Sequence, residues 1–201
     1  MIIDLSVAIN LQTPVYPGDP ATKIEPAGVL SRDGYCDHYI SPGTHVGTHI
    51  DAPMHMIEGG ISLDQIPADN FIGQGRYIGV TNGNLMAIQD AHIEHGDIVL
   101  LDTGMNEKYH DPVYFSDYPA MSEETAHYLV KKKVKMVGLD ACSVDNIEGF
   151  PIHKILLAGN VLIIENLTNL RTLAGKQFKV YALPLNLELD ASPARVIAET
   201  T

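Results

Sequence analysis

The stretch His45-Val46-Gly47-Thr48-His49-Ile50-Asp51-Ala52-Pro53-Met54-His55 gathers three histidines and an aspartate into eleven residues. All four candidate ligands occupy odd positions, so an extended chain turns them to one face and Val46, Ile50 and Met54 to the other. A helix groups them less well: His45 and His49 lie four apart, but Asp51 and His55 fall well round the cylinder. Gly47 and Pro53 are poor helix-interior residues as well. A straight strand also fails, because at about 3.3 Å per residue His45 and His55 end up on the order of 30 Å apart. The chain must bend, and Gly47 and Pro53 are where it can. Four ligands converging on a bent extended segment indicate a metal site. Imidazole and carboxylate suit Zn²⁺, Mn²⁺ or Fe²⁺, and no thiolate lies nearby.

Outward from this segment, residues 1–8 read as a first strand, and 14–20, with three prolines and Gly18, as a rigid turn-rich loop. Residues 36–50 alternate loosely as a strand, and 76–80 form a short strand candidate. Residues 91–97 read as a turn leading into the continuous apolar run 98–102, which has the character of a strand buried on both faces. Residues 122–132 carry the strongest helix signals: Ser122 as N-cap, Glu123 and Glu124 in the first turn, lysines in the last. A strand over 134–140 follows. Residues 152–158 predict a short helix ended by Gly159, then strands over 161–165 and 180–187. Strands outnumber helices and cluster irregularly, which points to a mixed α/β domain with a curved or barrel-like sheet rather than a regular βαβ repeat. The 201 residues are read as one domain spanning 1–201.

Bulk composition narrows the partners. A net charge of −12, with Lys131-Lys132-Lys133 as the sole basic run, argues against nucleic-acid or anionic-membrane partners. The N-terminus lacks a signal-peptide pattern, and no window reaches the roughly 18 apolar residues of a membrane span. Cys36 and Cys142 are too few for a disulfide framework and are expected to be reduced thiols in a cytoplasmic protein.

Downstream, His153 follows Pro151 at the start of the short helix, where capping is the ordinary role. Glu165 ends the 161–165 strand, and burying a carboxylate there demands a counter-charge. A metal is the natural one, with His153 able to join from the helix. Asp140, Ser143 and Asp145 follow a buried strand, where polar groups line a pocket or cap the next turn. Nothing local activates Cys142, and Ser143 lacks a Gly-x-Ser-x-Gly elbow, so thiol or serine hydrolysis is weakly supported.

The His45–His55 segment resembles the His-x-Gly-Thr-His-x-Asp-x-Pro-x-His motif of the cyclase family of metal-dependent hydrolases, which includes kynurenine formamidase and isatin hydrolase. The resemblance extends through Val15-Tyr-Pro-Gly-Asp-Pro20, His95-Gly-Asp-Ile-Val-Leu-Leu-Asp-Thr-Gly104 and Val137-Gly-Leu-Asp-Ala-Cys-Ser-Val-Asp145. It continues through the segments that begin at His153, Ile164 and Ala182. It implies a swivelling β/β/α-type domain, a homo-oligomer (dimer or tetramer), and a centre of one or two divalent ions, Zn²⁺ before Mn²⁺. By position, His45, His49, Asp51, His153 and Glu165 become metal ligands, with Asp51 a candidate bridge. His55 matches the last motif histidine, as ligand, base or proton shuttle.

The implied reaction is hydrolysis of a small-molecule amide or formamide of the N-formylkynurenine kind, with His55 taking the water proton and returning it to the leaving nitrogen. Opening of a cyclic amide, imide or lactone is the rival reaction, and a non-catalytic metal-binding role the rival class. Tyr16 and Met105 stand where formamidase-like members commonly carry Trp. These two are the expected substrate-pocket residues, and their identity weakens the aromatic wall, although Tyr16 and Tyr114 can still stack on a ring.

Overall fold

Apolar residues on both faces of the central strands drive the architecture seen in a computed structural model, which describes residues 1–80, 88 and 92–201. The strands are β1 (Ile2–Asp4), β2 (Lys23–Gly28), β3 (Asp37–Ser41), β4 (His49–Asp51), β5 (Ile72–Gly79), β6 (Ile98–Asp102), β7 (Met136–Leu139), β8 (Leu162–Glu165), β9 (Phe178–Pro184) and β10 (Ala191–Thr200). The helices are the single turn α1 (Leu30–Asp33), α2 (Glu123–Lys132) and α3 (Pro151–Ala158).

Strands β5, β6, β7 and β8 run parallel to their neighbours, while β4 joins β8, and β9 joins β5, antiparallel. The long β10 pairs with β4 through Ala191–Pro193 and with β9 through Ala194–Thr200, so seven strands close into a mixed barrel. β1 adds to the outer length of β10. This is the barrel-like mixed sheet expected from the sequence.

Alternation along the strands sorts two cores. Ile50, Ile98, Leu100, Met136, Leu162, Ile164, Val180, Val196 and their neighbours fill the barrel interior. Their strand neighbours Val99, Leu101, Val137, Leu139 and Ile163 face outward and are covered by Ala126 and Leu129 of α2 and by Ile152, Leu156 and Leu157 of α3. Burial on both faces explains why these strands read as unbroken apolar runs. Gly75 is required where a barrel strand passes under an aromatic ring, since any side chain there would overlap Phe178.

Helix α2 begins as its sequence predicts, with the Ser122 hydroxyl accepting from the Thr125 N–H. The stretch expected as one strand over 36–50 is two: β3 and β4 are separated by a turn, and β3 pairs with β2 in a separate hairpin outside the barrel. β10 and β2 had no sequence expectation. Ala91, where the turn before β6 was expected to begin, lies outside the described residues, but a turn is present at His95 and Gly96. Among the described residues no helix is long and apolar enough to cross a membrane.

Candidate metal centre

The site lies on the outer face of the barrel, between β4, β8 and α3. Ile50 points into the barrel, so His49 and Asp51 on either side of it point out. His49 and Glu165 are cross-strand partners in the β4–β8 pair, which brings their side chains face to face. Gly47 makes the bend that the sequence demanded, with φ of +61°. A Cβ there would meet the Ile9 side chain at 3.0 Å in a conformation that L residues rarely adopt. Pro53 opens a 3₁₀ turn, Pro53–His55, that folds His55 back over the strand. Thr48 locks the segment by donating to the Asn166 carbonyl at 2.6 Å and accepting from Val7 N–H at 2.9 Å.

His153 arrives from the first turn of α3, which Asp145 caps from outside. The Asp145 carboxylate accepts from the N–H groups of Ile152 (3.0 Å) and His153 (2.9 Å), and from His153 Nδ1 at 2.7 Å. These bonds fix the helix start and the histidine ring together.

Three imidazoles share one arrangement: one nitrogen held by an acceptor, the other aimed at a carboxylate. His153 uses Asp145 as its anchor, His49 Nδ1 donates to the Gly47 carbonyl at 2.9 Å, and His45 Nε2 to Asp190 Oδ2 at 2.9 Å. The opposite nitrogens converge. His45 Nδ1 lies 2.9 Å and His49 Nε2 3.4 Å from Asp51 Oδ1, and His153 Nε2 is 3.7 Å from Asp51 Oδ2. Glu165 completes the set at 3.5 Å from His49 Nε2 and 3.3 Å from His153 Nε2. Despite these distances, His49 Nε2, both Asp51 oxygens and Glu165 Oε1 are buried and make no aligned hydrogen bond.

Asp51 is fully buried and Glu165 nearly so (0% and 6% exposed), and among the described residues neither pairs with a lysine or arginine. Burying such carboxylates without a cation is strongly unfavourable. Donor atoms that approach closely without sharing an aligned hydrogen are what ligands of a common cation present. Histidines anchored through their second nitrogen are the usual support for such ligands. The residues therefore fit a divalent metal.

Electrostatics separates His55 from the other three. Burial pulls His45 down, but Asp51 and Asp190 lift it to about 9. Burial likewise opposes Asp145 and Glu165 at His153, which they raise to about 10; His49 is raised too, by Asp51 and Glu165. Asp51 and Glu165 are held below the usual carboxylate range by the facing imidazoles, which overcome burial. His55 moves the opposite way: burial, with the charges of His45 and His153, lowers it against the pull of Asp51 and Asp190. His55 is the one imidazole of the four whose pKa moves down.

A cavity of about 470 Å³ opens above this cluster, within the usual range for small-molecule sites. The four histidines and Glu165 line its base, and Tyr16, Phe115, Phe150, Pro14, Pro17 and Met56 its walls. The structure thus assembles His45, His49, Asp51, His55, His153 and Glu165 from three separate segments. Tyr16 lines the cavity, edge-on to Phe115 at 6.0 Å.

Met105 and Tyr114 are elsewhere. Gly104 turns the chain through φ of +79°, and Met105 is buried in the core beneath α2 and α3. Tyr114 has no exposed surface and spends its hydroxyl on Asn166 Oδ1 at 2.8 Å. Cys142 lines the cavity, but burial pushes its thiol up to about 12, and Ser143 accepts from the Asp145 N–H. Asp190, Phe115 and Phe150 had no part in the sequence reading. Phe150 stands in the left-handed region at φ of +51° and packs edge-on to the His153 ring at 6.0 Å.

Residues that fit a divalent metal and open onto a cavity of this size suit a metal-dependent hydrolase, and comparison with known proteins agrees. Residues 3–146 match the family model described as "Putative cyclase", and the chain belongs to this cyclase family of metal-dependent hydrolases. It is 36% identical over 188 residues to an uncharacterized protein of Methanocaldococcus jannaschii, covering 91% of each chain. It is 30% identical over 206 residues to kynurenine formamidase of Salinibacter ruber, covering 98% of this chain and 96% of the relative. A structure described as "predicted metal-dependent hydrolase from Bacillus stearothermophilus" superposes with a TM-score of 0.82 at 31% identity, covering 98% of this chain and 97% of that one. An isatin hydrolase bound to the product analogue thioisatinate shares the fold, with a TM-score of 0.86 at 22% identity over 98% of this chain and 91% of that one.

Proposed function

We propose that this chain is a zinc-dependent amidohydrolase of the arylformamidase type, cleaving the formamide C–N bond of an N-formyl aniline such as N-formylkynurenine. The observation that carries the metal-dependent reading is the set of imidazoles anchored at one nitrogen and aimed with the other at Asp51 and Glu165. Three nitrogen and two carboxylate donors with no thiolate suit Zn²⁺ or Mn²⁺, and we take Zn²⁺ as the ion with Mn²⁺ the alternative. His45, His49, Asp51, His153 and Glu165 would hold the metal, and Asp51, whose two oxygens face different histidines, would be shared if two ions bound. Such a centre, when loaded, brings the pKa of water toward neutrality and polarises a carbonyl.

The chain's own residues do the rest. His55 accepts the proton of the attacking water and delivers it to the leaving nitrogen, so the formyl carbon gains oxygen as its bond to nitrogen breaks, giving formate and an arylamine. Tyr16, Phe115 and Phe150 supply aromatic surface for the aryl ring. Met105 takes no part in this wall.

The fold likeness to isatin hydrolase supports a second reading, opening of a cyclic amide by the same residues. Turnover of N-formylkynurenine against isatin, with and without EDTA, tests both. Faster formamide hydrolysis that EDTA abolishes and Zn²⁺ restores is expected. Faster isatin turnover favours the second reading, and indifference to EDTA refutes metal dependence. We place this single catalytic unit in the cytoplasm as a homo-oligomer. The free Cys36 and Cys142 suit a reducing compartment. The exposed Leu30, Tyr39 and Ile40 on the β2–β3 hairpin offer apolar surface to a second copy.

A further inference from the structure

Asp190 lies outside the histidine motif, immediately before β10, yet the fold brings it against both ends of that motif. Its backbone carbonyl accepts from Ala52 N–H at 2.8 Å, and the preceding Leu189 carbonyl from Leu63 N–H at 3.1 Å. The residue is thereby pinned beside the turn that carries His55. One oxygen, Oδ2, contacts two imidazoles: His45 Nε2 at 2.9 Å and His55 Nδ1 at 3.2 Å. The two rings lean on each other with centroids 4.1 Å apart.

We propose that Asp190 is the positioning residue of the hydrolytic base, fixing His55 with its proton on Nδ1 and leaving Nε2 as the lone-pair nitrogen. This rests on the reading of His55 as the base. A neutral imidazole carries one N–H, and the hydrogen bond at one nitrogen decides which nitrogen is left to accept. A carboxylate accepts and never donates at this pH, so its contact with Nδ1 selects the tautomer that can take a proton at Nε2. Once Nε2 has received the water proton, the adjacent Asp190 charge stabilises the imidazolium until the proton passes to the leaving nitrogen. The same Oδ2 atom holds His45 from behind while His45 Nδ1 faces Asp51. One carboxylate thus sets the spacing between a metal ligand and the base.

The test uses the zinc-loaded enzyme and two variants, Asp190→Asn and Asp190→Glu. Nitrogen NMR of ¹⁵N-histidine-labelled wild type should show His55 protonated at Nδ1; protonation at Nε2 overturns the proposal without any variant. Asp190→Asn, whose amide can present a donor to the ring, should shift His55 toward the other tautomer. At saturating zinc its kcat should fall on the order of 10²- to 10⁴-fold with KM near wild type, while the weaker hold on His45 lowers zinc affinity about 10- to 100-fold. Asp190→Glu should recover part of kcat. Activity that returns in full once zinc is saturating would make Asp190 a support for His45 alone, and wild-type kcat in Asp190→Asn without added zinc would remove it from the reaction; either result overturns the proposal. A wild type that hydrolyses neither N-formylkynurenine nor isatin refutes the hydrolase reading instead, and the tautomer measurement still decides the role of Asp190.

Discussion

Replacing Asp145 by Asn separates the helix start from the metal ligand that it carries. The native carboxylate accepts three N–H groups with two oxygens: Ile152 N–H at Oδ1, and His153 N–H and Nδ1–H at Oδ2. Asparagine keeps the shape but offers one accepting oxygen. If that oxygen faces His153, the new NH₂ group confronts the Ile152 N–H; in the other orientation it confronts the His153 backbone and ring. Either way at least one buried donor loses its partner, at a cost of about 1–3 kcal/mol. The ring is also no longer held by a charge, and loss of such a support typically costs a metal site 10- to 100-fold in affinity, or about 1.4–2.7 kcal/mol. Urea unfolding of the EDTA-treated variant reads the first effect, and competition with a chromophoric chelator reads the second. Both should fall. A variant that is less stable but binds metal as tightly as wild type would show that Asp145 only caps α3 and does not hold His153 for the metal.

Other outcomes follow from the same geometry. His49→Ala and Asp51→Ala each remove a buried, unpartnered donor set and should lose metal and turnover together, measured by elemental analysis beside the hydrolysis rate. His55→Ala should retain more metal than activity, with kcat down on the order of 10²- to 10⁴-fold; full turnover would rule it out as the base. In metal-free protein, His45 and His153 are raised from 6.5 to about 9 and about 10. Their contribution to stability is present below pH 6.5 and lost as pH rises through those values. The Tm of EDTA-treated protein should therefore fall across that window, and a flat or rising Tm contradicts the raised values. Tyr16→Ala should raise KM for an aryl formamide more than it lowers kcat, since Tyr16 lines the cavity as aromatic wall.

Much of the site was legible because its ligands are local. The bend at Gly47 and the turn at Pro53 were forced by the distance an extended chain would put between His45 and His55, and both are present. His153 and Glu165 were legible because each sits at a recognisable element end. Asp190 was not: it lies 145 residues from His45 and 135 from His55, and no local pattern marks it. It is placed by the pairing of β10 with β4, and β10 was itself hidden, since Pro193 argues against a strand and the polar residues of Ala191–Thr200 follow no period-2 pattern. Pro26, at the irregular step in the β2–β3 register, obscured β2 in the same way. Met105 was expected in the pocket because it stands where formamidase-like members commonly carry Trp, but the left-handed turn at Gly104 directs it into the core. Side-chain direction after such a turn depends on packing that a linear pattern does not contain.

Anomalous diffraction at the zinc edge, from crystals of protein purified without chelator, locates the ion directly. A centre built from His45, His49, Asp51, His153 and Glu165 predicts a peak among the Asp51 carboxylate, His49 Nε2 and Glu165, and a second beside the other Asp51 oxygen if two ions bind. No peak among these side chains in protein that still hydrolyses its substrate, or a peak held by Asp190 and His55 alone, would contradict it.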